Sequence, residues 1–142
     1  MRRMTIFCVA LTSLVLVACG AQPKTQEVTI EAKDIAYGTA TVEVVAGQPV
    51  RLTLKDTGTL DHDLSIMEIP LVINAEAQPM AGHDMSGMGG TDAEPQLHVA
   101  AMAGGSNTIE FTPTKPGTYE FFCAVAGHKE AGMVGKLLVK ER

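Results

Sequence analysis

From Glu27 onward, apolar residues recur at every second position in short runs, and this spacing constrains the fold more than any other feature of the chain. Val28, Ile30 and Ala32 share one face of an extended segment; Val42 and Val44, then Val50, Leu52 and Leu54, repeat the pattern. Successive side chains on a strand point to opposite faces, so each run buries one face and leaves the other to water. Gly38, Ala46-Gly47-Gln48-Pro49 and Asp56-Thr57-Gly58 separate the runs with turn-forming residues. Residues 63–69, 108–112, 118–123 and 134–140 extend the series, and Pro113-Thr114-Lys115-Pro116-Gly117 joins two of them. The pattern predicts an all-β domain of about seven or eight strands, an antiparallel sandwich or barrel. A single helical turn is expected around residues 71–77.

The start of the chain follows different rules. Arg2 and Arg3 precede an apolar stretch from Thr5 to Val17 that is short for a membrane span, and Leu16-Val17-Ala18-Cys19-Gly20 follows. These residues resemble a bacterial lipoprotein signal. They predict a signal peptide over residues 1–18, lipidation of Cys19, a tether over 19–26 and a folded domain over 27–142. The protein is then expected to be exported and held on a bacterial membrane by its lipid, facing the periplasm or the cell exterior. Of the three cysteines in 142 residues, Cys8 leaves with the signal and Cys19 carries lipid. Cys123 remains as a lone thiol that no internal disulfide can use.

Within the domain, residues 78–102 interrupt the strand pattern as an insertion. Its first part, Gln78-Pro79-Met80-Ala81-Gly82-His83-Asp84-Met85-Ser86-Gly87-Met88-Gly89-Gly90, is rich in Met and Gly and has little to bury, so a surface loop is expected. Met80, His83, Met85 and Met88 form a candidate weak copper(I) site, because soft thioethers suit that ion. His98 reads as a solvated residue at the start of a strand, and Met67 and Met102 read as core fillers.

Cys123, His128 and Met133 lie at a regular spacing, Cys-x4-His-x4-Met, between two predicted strands. Thiolate, imidazole and weak axial thioether, with one more imidazole, form a donor set that serves both copper(II) and copper(I) with little rearrangement. His62, after the Thr57-Gly58 turn, supplies the second imidazole. Gly127 and Gly132 let the loop turn tightly beside its ligands.

The segment from Phe111-Thr112-Pro113 through Tyr119-Glu120-Phe121-Phe122-Cys123 to Met133-Val134-Gly135 resembles the blue copper proteins, or cupredoxins, of the plastocyanin/azurin family. The loop spacing is most similar to that of the auracyanins. The resemblance implies a Greek-key β-sandwich and one type 1 copper held by His62, Cys123, His128 and Met133. It also implies a supporting role for Asp63, which follows the first histidine and can bond the backbone of the ligand loop. It further implies electron passage through the edge of His128, with Ala124, Val125 and Ala126 as an apolar docking surface.

The functional expectation is a lipid-anchored one-electron carrier serving redox partner proteins in or at the membrane, with no small-molecule substrate. The alternative is a periplasmic copper chaperone or store that uses the Met/His loop. Catalysis is not expected: four histidines in the whole chain are too few for additional catalytic copper. Structural zinc is disfavoured because thioether is a poor zinc ligand. Nucleic-acid binding is also disfavoured, since the net charge is −5 and no basic patch exists to neutralise phosphates.

Overall fold

The apolar runs become strands packed in two layers. The computed structural model describes residues 24–73 and 94–142. Ten strands lie within them: β1 (Gln26–Lys33), β2 (Ala36–Tyr37), β3 (Thr41–Val45), β4 (Val50–Asp56), β5 (His62–Ile66), β6 (Leu71–Ile73), β7 (Leu97–Ala101), β8 (Ser106–Pro113), β9 (Gly117–Phe122) and β10 (Val134–Lys140). One five-stranded sheet has the order β2-β1-β4-β8-β6, the other β3-β10-β9-β5-β7.

Both sheets are mixed rather than purely antiparallel. β1 runs parallel to β4, pairing Val28 with Leu52 and Ile30 with Leu54, and β3 runs parallel to β10. Parallel neighbours cannot be joined by a tight turn, so the chain must leave the sheet and come back. It does so here through β2 and β3, the latter lying in the opposite sheet. Period-two patterning reports which face of a strand is buried but not its direction, and this accounts for the difference from the expected antiparallel arrangement.

Ile30, Leu52, Leu54 and Phe111 of the first sheet join Leu64, Ile66, Phe121, Leu137 and Val139 of the second in one core cluster. Each such side chain, fully buried, contributes about 1.5–3 kcal/mol of transfer free energy. Polar residues occupy the alternate positions of β4, where Arg51 faces Glu110 at 2.6 Å.

Four expectations from the sequence change. The segment 71–73, expected to be part of a helical turn, is the edge strand β6. The 78–102 segment is not all insertion: Leu97, Val99 and Ala101 of β7 are buried, and β7 pairs along β5. Met102 is no core filler, being 65% exposed at the turn after β7, and Met67 is half-buried. Gln26, assigned to the tether, opens β1, and its side chain bonds both backbone groups of Val45. Residues 1–18 and Cys19 lie outside the described residues, as do Met80, His83, Met85 and Met88.

An aromatic wedge leads from the sandwich to its functional end. A Cβ on Gly135 of β10 would come within 2.2 Å of the Phe121 ring, so only glycine admits Phe121 across the strand pair. Tyr37 meets that ring edge-on, with centroids 5.0 Å apart. Its hydroxyl then donates to the carbonyl of Asp63 at 2.5 Å.

Candidate metal centre

β9 ends at Phe122, and Cys123 follows it directly; β10 begins at Val134, immediately after Met133. The loop between them is tied back on itself. Cys123 N donates to Met133 O at 3.1 Å, Met133 N to His128 O at 2.9 Å, and His128 N to Val125 O at 3.0 Å. Gly127 and Gly132 adopt φ of 83° and 96°, a left-handed conformation that costs glycine little. The loop is thereby folded around its predicted ligands by its own backbone.

His62 arrives on the opening residue of β5, a strand between β9 and β7. The structure brings His62, Cys123 and His128 together, all buried, with one donor atom from each within 4.8 Å of the others. Cys123 Sγ lies 3.4 Å from His128 Nδ1 and 3.9 Å from His62 Nδ1. The two imidazole rings are tilted at 46° with centroids 5.0 Å apart. Met133 is fully buried, and its backbone bonds flank both loop ligands.

These residues fit a metal ion. Bonds of about 2.0 Å to nitrogen and about 2.3 Å to sulfur, spread trigonally, would set nitrogen and sulfur about 3.7 Å apart. The observed 3.4 and 3.9 Å bracket that spacing. A thiol has one proton and can donate to one imidazole, yet both Nδ1 atoms converge on the same sulfur. His62 Nε2 is buried without a hydrogen-bond partner, so the ring is not held there by a hydrogen bond at its far nitrogen. Two imidazoles and a thiolate, with the thioether of Met133 buried at the end of the same loop, form a donor set suited to copper.

The surroundings hold the sulfur in place and set its proton affinity. Burial pushes the Cys123 thiol up to about 11; the N–H groups of Asp63 and Val125 oppose that shift, and the Asp63 carboxylate adds to it. The Asp63 N–H lies 3.5 Å from Sγ. Asp63 Oδ1 accepts the Ala124 N–H at 2.6 Å, so the residue after the first histidine does bond the ligand-loop backbone. Metal binding must displace the thiol proton, and affinity therefore rises with pH.

Two residues near the site were not recognised as such in the sequence. Tyr37 supports the Asp63 backbone, and its phenol is raised above its ordinary range by burial, then by Cys123 and Asp63. His98 is neither freely solvated nor among the converging donors: its Nε2 lies 3.5 Å from Asp63 Oδ2, with the side chain 22% exposed. Neither residue belongs to a motif, and β2 is too short to show any periodicity.

Fold and site together define a small β-sandwich built around one copper, and the comparisons agree. The sequence profile of the copper binding proteins of the plastocyanin/azurin family matches residues 24–140; the chain belongs to that family. Auracyanin-A of Chloroflexus aurantiacus is 28% identical over 163 residues, covering 98% of this chain and 97% of that protein. The copper-resistant cuproprotein CopI of Rubrivivax gelatinosus is 36% identical over 105 residues, covering 73% of this chain. The chain spans 59% of that relative's length. The solved structure of auracyanin B superposes with a TM-score of 0.61 at 25% identity, covering 85% of this chain and 92% of that one. Copper is the cofactor of this protein.

Proposed function

We propose that the protein is a one-electron carrier in which His62, Cys123 and His128 hold a single type 1 copper and Met133 supplies the weak axial thioether. The observation that carries this reading is the convergence of both imidazole Nδ1 atoms on one buried cysteine sulfur. When bound, copper supplies the one-electron couple. The chain keeps the donors at nearly fixed positions, because the loop is cross-linked by its own backbone and His62 is seated in an interior strand. Fixed donors mean little rearrangement between oxidation states, and so fast exchange. Burial keeps water from the donors. Val125, 37% exposed, and its neighbours Ala124 and Ala126 give the ligand loop an apolar outer surface for a redox partner.

Export and anchoring through a lipid on Cys19 belong to the same proposal, with partners in or at the membrane. Cys19→Ala should then move the protein from the membrane to the soluble fraction. For the site, the test is a visible spectrum of the copper-loaded protein. Intense thiolate charge-transfer absorption is expected, and Cys123→Ser should abolish it. A serine variant that stays blue would overturn the assignment.

A second reading, copper handling, is favoured by the similarity to a protein named for copper resistance. In that case Met80, His83, Met85 and Met88 would offer copper(I) a separate site. Deleting residues 78–90 separates the two readings. Electron transfer that survives with resistance intact supports a carrier; lost resistance with the blue colour retained supports handling.

A further inference from the structure

Asp63 is a charged side chain only 4% exposed, and its two carboxylate oxygens face different partners. Oδ1 accepts the N–H of Ala124, the peptide unit that follows Cys123. Oδ2 faces His98 Nε2 at 3.5 Å. The Tyr37 hydroxyl fixes the Asp63 carbonyl but leaves rotation of the carboxylate unconstrained. A group that holds Oδ2 therefore acts with the Ala124 N–H to fix where Oδ1 points.

The fold places His98 for that task. β5 and β7 pair with Asp63 opposite Ala100 and Ser65 opposite His98. Leu64 and Ile66 on one strand, and Leu97, Val99 and Ala101 on the other, are buried in the core cluster. Asp63 and His98 thus share the opposite face of the sheet as diagonal neighbours, a separation that long side chains bridge. His98 Nε2 is buried and has no hydrogen bond of its own. A buried donor without a partner is costly, and the carboxylate is the charged group that faces it. In both the Nε2-protonated tautomer and the imidazolium, an N–H is available to that oxygen.

We propose that His98 is a positioning residue: by pairing with Asp63 Oδ2 it locks Oδ1 onto the Ala124 N–H, and so fixes the Cys123 sulfur between the two imidazoles. Its effect on the metal rests on the copper reading above, but the pairing of His98 with Asp63, which approach to 3.5 Å, can be tested on its own. A buried carboxylate near the copper favours the more positive, oxidised ion, and the imidazole N–H offsets part of that charge. Loss of His98 therefore lowers the reduction potential.

The test is amide hydrogen exchange at Ala124 in the copper-free protein, followed by redox titration of the loaded protein. His98→Phe keeps the ring volume but removes the donor, and should speed Ala124 exchange by about tenfold. His98→Gln, which can offer an N–H to the same oxygen, should restore most of the protection. In an Asp63→Ala background, His98→Phe should change nothing further. In the loaded protein, His98→Phe should retain its visible band at a lower potential. Unchanged Ala124 exchange in a folded His98→Phe variant overturns the proposal. So does an equal effect with and without Asp63, which would make His98 a space filler. A wild-type protein that shows the clamp but no visible band with copper would overturn the electron-carrier reading and leave the clamp supported.

Discussion

β4 and β5 are both interior strands, yet they are buried in opposite styles. β4 alternates, with Val50, Leu52 and Leu54 inside and Arg51 and Lys55 outside. β5 is buried at every position from His62 to Ile66. One strand uses one face for the core and gives the other to water. The other spends its second face on Asp63 and Ser65, polar groups that burial penalises unless they are partnered. The comparison separates stability from chemistry: β4 holds the sandwich closed, and β5 carries a ligand with a buried carboxylate that orients the next one.

The largest break in that comparison should come from β4. Leu52→Ala removes a fully buried side chain and should cost about 2–5 kcal/mol, read by denaturant unfolding. The visible band of whatever remains folded should be unchanged. Asp63→Ala should cost less, about 1–3 kcal/mol, because it leaves the Ala124 N–H without its acceptor. Its spectrum and reduction potential should shift while the sandwich stays folded, the reverse of the β4 result.

The copper-free protein should also show a pH dependence that belongs to the site. Cys123 is raised from 9.0 to about 11 in the fold. A raised acid contributes stability that is fully present below its unfolded value and is lost as pH rises through the folded one. Stability should therefore decline between about pH 9 and 11, and Cys123→Ser should flatten the onset of that decline. Tyr37 is shifted in the same direction but from 10.0, so it adds to the loss only at higher pH. Leu52→Ala should lower the whole curve without changing its slope. The smallest effect belongs to the outer face of β4. Arg51→Ala loses the 2.6 Å contact to Glu110, a surface pair whose removal should change stability by less than about 1 kcal/mol.

The inward residues of β1, β3 and β4, and the bounds of β10, were legible because burial of one face imposes a period of two. The ligand loop was legible because three metal donors at fixed spacing leave few other uses. Strand direction was not legible: nothing in Val28-Thr29-Ile30 distinguishes a parallel neighbour from an antiparallel one. β7 was only partly legible: His98 reads as the start of a strand, but the strand follows a segment of unlike composition and was counted with that insertion rather than with the core. Met102 looked apolar enough for the core, yet it opens a turn that Gly105 N closes onto its carbonyl at 2.8 Å, beyond the end of β7, where its side chain is exposed.

The sequence by itself determined a sandwich-forming alternation and a thiol, an imidazole and a thioether confined to one loop. Those follow from local chemistry, namely side-chain spacing and donor type. The tertiary structure decided the rest: it delivered His62 from another strand, converged two rings on one sulfur, and set Tyr37 and His98 on either side of Asp63. These contacts join residues far apart in the chain, and their geometry exists only after the two sheets have closed.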